Sequence, residues 1–332
     1  MNKSYAFVAG LVLFFSGLTA HAEAGFITDA NRYDIAYDTV RQVLFISGGT
    51  TVRRYDMVAK KFLTPITLGG QTAGMDISAD GKLLAVANLS RGAKQNFIDV
   101  INLRTLAVKR VGFDLSFGEG GTFTVAFDEL SNILVSSNYE GSGWVPLRKI
   151  NYFTKAVSEL GSVRQNSMLA ASADRHTIAV AESNISNGAW GVYKAGDEQY
   201  QSNNATNWFN FEIGISYTGS QIAVPTYGGT FILDSKQVFP AVGEYAGVTP
   251  IGAAYAPVGN KVYFPMANSD YISVYNSDTM TEVAQIKVPG NFDWNGNFAF
   301  GEGRVKVASD NSFLFSTLDS GVYFAPLRTP AQ

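Results

Sequence analysis

The chain has 332 residues and no cysteine, so no thiolate can serve it as nucleophile, metal ligand or cluster ligand. Its 25 basic and 28 acidic side chains leave a net charge of -3 without a Lys/Arg run, which argues against nucleic-acid binding through phosphate neutralisation. Aromatics at 13%, 33 glycines and only 16% charged residues describe a β-rich chain with many turns.

The first residues read as a leader rather than as part of a fold. Lys3 gives a weakly positive start, and an apolar run from Ala6 to Phe15 follows. Two small-residue patterns come next, Ala20-His21-Ala22 and Ala22-Glu23-Ala24. This is the layout of a secretory signal peptide over residues 1–24. The apolar run is shorter than the roughly 20 residues that a membrane span needs. The expectation is an exported protein, periplasmic or secreted, with one domain over 25–328 and a tail over 329–332. No later stretch is long and apolar enough for a membrane helix.

After the leader, short alternating strands are broken by Gly, Asn, Asp or Pro, and helical periodicity is nearly absent. One unit recurs, beginning with a strand, a polar turn and a second strand. It is seen as Ala36-Tyr37-Asp38 before Val43–Ile46, then Ile77–Gly81 before Leu83–Val86, then Ala126-Phe127-Asp128 before Ile133–Val135. It returns at Ala171–Asp174, Ile215–Tyr217, Ala254–Pro257 and Val307–Asp310. Seven units at spacings of roughly 39 to 53 residues fit four-stranded blades. The predicted fold is therefore an all-β, seven-bladed β-propeller of antiparallel blades. The seventh unit shows only three strands, Arg304–Ser309, Ser312–Leu318 and Gly321–Leu327, while Gly25–Asp29 lies spare at the other end. Pairing the two would close the ring and remove an exposed sheet edge.

Two blades carry a family resemblance. Ala79–Asn88 with Phe97–Asn102 and Thr105–Val108 resembles the YVTN-type β-propeller repeat, itself NHL- and WD40-like. So does Lys261–Asn268 with Ile272–Asn276 and Thr279–Val288. The resemblance implies the propeller fold and a frequently extracytoplasmic, bacterial or archaeal setting. It implies little about function, because propellers host many unrelated activities.

In a propeller, the loops between second and third strands and those between blades gather on one face, where ligands tend to sit by analogy with propellers generally. All four tryptophans, Trp144, Trp190, Trp208 and Trp294, fall in or beside such loops, together with Tyr139, Tyr227 and many asparagines. Flat aromatic faces with amide donors and acceptors suit sugars, peptides or small aromatic ligands. These six rings are the ligand-binding candidates.

Catalytic motifs are sparse. His176, the one histidine beyond the leader, falls in a hairpin turn on the opposite face, so neither a Ser-His-Asp triad nor a multi-histidine zinc site can be assembled. No nucleophile elbow, P-loop or dinucleotide fingerprint occurs. Gly118-Glu119-Gly120 and Gly301-Glu302-Gly303 precede inner strands and read as turns, or more sharply as carboxylates facing the axis. Asn291, Asp293, Asn295, Asn297 and Glu302 approach a calcium-loop spacing, with Gly296 for the sharp turn and Asn291 in place of the usual first acid. Calcium is thus the one cofactor the sequence suggests. Asp76 and Glu212 are candidate axial acids, which with Asn268 and Glu302 could imitate the cation site of lactone-hydrolysing propellers. Asp38, Asp80, Asp128, Asp174 and Asp310 recur in first hairpin turns and read as structural.

These features favour a non-enzymatic binding or scaffold propeller presenting an aromatic, Asn-rich face to a protein or glycan partner. A metal-dependent lactonase or hydrolase with an axial divalent cation is the rival reading. A propeller subunit of a periplasmic redox complex is the third.

Overall fold

A computed structural model describes residues 23–206, 208–234, 250–293 and 300–327. Seven antiparallel sheets stand in a ring. Blades one to four follow chain order, with inner strands Ile35–Asp38, Thr72–Ile77, Glu119–Phe127 and Met168–Ala171 and outer strands Lys61–Thr67, Val108–Asp114, Val157–Arg164 and Gln201–Ala205. Blade five shows three strands among the described residues, Gly214–Ile215, Gln221–Thr226 and Gly229–Asp234. Blade six runs from Ala254–Tyr255 to Thr281–Lys287. Neighbouring inner strands touch one another around the axis.

The sequence pattern explains which strand sits where. Second strands such as Val43–Gly48 and Leu83–Asn88 are buried along their whole length, because both faces pack against a blade. Outer strands such as Thr281–Lys287 carry Thr, Glu, Gln and Lys and are exposed almost throughout. Seven apolar clusters fill the seven junctions between blades. Phe45, Leu84 and Val86 meet between blades one and two, for example, and Leu147, Leu169 and Tyr193 between three and four. Stability is distributed around the ring, each blade depending on its two neighbours.

The ring closes as the spare strand requires. Gly25–Thr28 pairs antiparallel with Gly321–Pro326, matching Ile27 with Val322, and forms the outermost strand of blade seven. Asp29 N–H donates to the Ser320 carbonyl at 2.8 Å, and the Asp29 carboxylate meets Arg53 of blade one at 2.7 Å.

The recurring turn residues are structural. Asp38 accepts from the amides of Val40 and Arg41, and Asp128 from those of Leu130 and Asn132. In blades two and four a serine adds a second tie: Ser78 and Ser172 donate to Asp80 and Asp174 at 2.7 and 2.6 Å. His176 sits in such a turn, exposed, with Nδ1 at 2.8 Å from Glu129 of the neighbouring blade.

Candidate functional site

The aromatic candidates divide by burial. Trp208 and Tyr227 are exposed at 41% and 57% and stack at 6.3 Å with 27° between ring planes. A Cβ at Gly228 would collide with the Trp208 indole, so the glycine seats the ring. Trp144 is 53% exposed and lies 4.9 Å from the Arg164 guanidinium. Tyr139 is part-buried, packed over Gly118 and Gly143. Trp190 departs from expectation. It is 3% exposed and belongs to the core between blades four and five, because it falls within a third strand whose side chains face a neighbouring blade. Trp294 lies outside the described residues.

Contacts link the exposed rings into an arc. Phe117, 94% exposed, adjoins the Gly118 that carries Tyr139. Arg164, beneath Trp144, donates from Nε to the Asn184 carbonyl at 3.3 Å. In the same loop Gly188 N–H donates to the Trp208 carbonyl at 3.3 Å. Asn210 is buried and ties this connection down, donating from Nδ2 to the Glu182 carbonyl and accepting from Thr206 Oγ1. The arc crosses blades three, four and five on one face.

The axis is layered. At the same end, Phe300 reaches over it, with its ring 4.6 Å from Tyr33 and 5.1 Å from Phe123. Next comes a buried ionic triad. Arg304 Nε donates to Asp34 at 2.7 Å, and another guanidinium nitrogen pairs with Glu212. Asp34 also accepts the Met75 amide of blade two at 2.7 Å. Burial disfavours charge on Arg304, but the Asp34 and Glu212 carboxylates outweigh it and hold the guanidinium pKa above its usual value. Below the triad a cavity of about 390 Å³ opens on the face of the first hairpin turns. One ring of inner-strand positions holds Ala36, Ala126, Ala170, Gly214 and Ala254, whose small side chains leave room. The two remaining positions of that ring hold Asp76 and Lys306. Asp76 pairs with Arg175 of blade four and accepts the Phe127 amide at 2.8 Å.

The two axial acids are therefore both near the axis, but each is engaged by an arginine instead of facing the other across a vacant site. Asn268 is exposed and donates its backbone N–H to the Phe292 carbonyl. Glu119 turns away from the axis into the junction of blades two and three. There it takes Arg148, the Ser137 hydroxyl at 2.7 Å and the Ser116 amide at 2.9 Å.

Of the calcium-like loop, Asn291 and Asp293 are exposed, and Asp293 N–H donates to Glu302 at 2.8 Å. Asn295 and Asn297 lie outside the described residues. Burial raises the Glu302 pKa; the Asp293 amide and Arg32 oppose the rise, and the charges of Asp319 and Asp293 add to it. Among the described residues no group of three or more His, Asp or Glu side chains is arranged to hold a metal ion.

No protein-family model matches the chain, and no curated protein does. Solved structures do. The Myceliophteria thermophila Cps50 (Swd1) β-propeller domain superposes with a TM-score of 0.68 at 12% identity, covering 92% of this chain and 98% of that one. A chain of Kuenenia stuttgartiensis hydrazine synthase gives 0.65 at 12% identity, over 95% and 99%. A chain of the mitotic checkpoint complex gives 0.65 at 12%, over 99% of both. At this identity the likeness is one of fold.

Sequence reasoning missed Asp34, Arg304, Lys306 and Arg175. A signal was available for the first three. When the seven units are aligned on their first hairpin turns, Asp34, Glu212 and Arg304 fall at one position, and Asp76 and Lys306 two residues further on. Arg175 carried no comparable mark, being one polar turn residue among many.

Proposed function

We propose that this protein is a non-enzymatic binding propeller whose arc of exposed rings over blades three to five takes a protein or glycan partner. The carrying observation is the stacked, solvent-facing Trp208–Tyr227 pair seated on Gly228. Large exposed rings held in fixed orientation are the usual anchors of recognition, because they offer area at little entropic cost. A scattered exposed aromatic needs no explanation, but four in one linked arc exceed that expectation. Propeller chains also occur in assemblies, as the mitotic checkpoint complex illustrates for that structure.

The test is binding by the Trp208→Ala/Tyr227→Ala double variant. Partners would be recovered by crosslinking from native extract and, separately, by glycan array. The expected result is a loss of about 2 kcal/mol or more, roughly 30-fold in affinity, with an unchanged melting temperature. Partners retained at full affinity by the double variant and by Trp144→Ala would overturn the reading.

Export belongs to the same proposal. The leader pattern of residues 1–24 supports it, and the closing strand begins at Gly25, the residue after the second cleavage pattern. Intact mass of the protein from its native host is expected to show a mature N-terminus at Glu23 or Gly25. A retained Met1 would count against it.

A further inference from the structure

The axial cavity holds one lysine. Among the described residues Lys306 is the only amine on its wall, and no hydrogen bond or salt bridge engages it. The cationic groups around it differ in this respect, since Arg304 is held by Asp34 and Glu212 and Arg175 by Asp76. The carboxylates near Lys306 are thus already occupied, and the lysine lines a space cleared by the alanines and glycine of its own ring. That space is of the size that small ligands fill. Phe300, Tyr33 and Phe123 cover the axis at the far end, so the cavity is entered from the hairpin-turn face.

We propose that Lys306 is a covalent capture site for a small aldehyde or ketone, which enters the axial cavity and condenses with the amine as an imine. The Nζ lone pair adds to the carbonyl carbon to give a carbinolamine. The carbinolamine oxygen then leaves as water, taking the two amine hydrogens in net balance, and a C=N bond remains. No oxidant or reductant is needed, and free water in the cavity reverses the step. The amine is set up for this by its surroundings. Burial lowers its pKa first, and the Arg304 charge lowers it further. Asp34, Glu212 and Asp76 act in the opposite sense and are outweighed. A lysine desolvated beside another cation is the known recipe for an amine nucleophile at neutral pH.

The test uses the whole folded protein with butanal and sodium cyanoborohydride, which fixes any imine as a secondary amine, followed by peptide mass mapping. At pH 7 Lys306 is expected to be alkylated about tenfold or more faster than Lys82 and Lys287, which are exposed at 72% and 82%. The ratio should narrow when the reaction is run at pH 9. Lys306→Arg, which keeps the charge and removes the nucleophile, should abolish that adduct alone. Alkylation of Lys306 at or below the rate of the exposed lysines at pH 7 would overturn the proposal, and this comparison needs no variant to fold.

Discussion

Replacing Arg304 with Met is expected to cost about 3–5 kcal/mol, the range for removing one partner of a buried ion pair. In a domain of this size that is a fall of roughly 5–10 °C in melting temperature. The reason is arithmetic of charge. Arg304 is 4% exposed and serves two carboxylates, Asp34 at 0% and Glu212 at 3%, so its loss leaves two buried anions without their cation. Lysine should not rescue it, since one ammonium cannot reproduce the planar fork that reaches blades one and five together. Adding Asp34→Asn and Glu212→Gln to Arg304→Met should recover most of the loss. Thermal unfolding of the single and triple variants at pH 7 decides it, and wild-type stability for Arg304→Met alone would show that the triad does not pin the axis.

The contrast between what the sequence displayed and what it concealed follows from distance along the chain. The first hairpin of each blade is local. Asp38, Asp80, Asp128 and Asp174 organise amides or hydroxyls within four residues of themselves, so composition and order carry the turn. Ring closure was legible for a different reason, a missing strand at one end and a spare one at the other. The axial triad is neither local nor a deficit. Asp34 and Arg304 stand 270 residues apart, and only the accumulated rotation of seven blades brings them together. Trp190 shows the same limit in a smaller way. Its place beside a loop suggested display, but the alternation of its strand turned it into a junction between blades. The cavity on the hairpin-turn face, opposite the aromatic arc, was hidden for the same reason, since its room is made by single small residues contributed by five different blades.

The closing strand should be the second point of large sensitivity. Ile27→Asp is expected to cost about 4 kcal/mol or more, combining lost packing with a carboxylate placed in apolar surroundings. Ile27 is 2% exposed and packs with Phe315, Val322 and Phe324 of blade seven and with Leu44 and Ile46 of blade one. The chain can avoid burying the charge only by detaching Gly25–Thr28. That escape exposes the free edge of Gly321–Pro326 and loosens the Asp29–Arg53 tie to blade one. Two measurements separate this from an ordinary core lesion. Hydrogen exchange should lose protection first in residues 321–326, and the variant should self-associate in proportion to concentration as bare edges pair. Phe26→Ala, which alters a part-buried neighbour in the same strand, should do neither. If Ile27→Asp instead lost protection evenly over all seven blades, closure would be one contact among many. Loss confined to blade seven and its junction with blade one would identify the N-terminal strand as the latch that makes a linear series of blades into a ring.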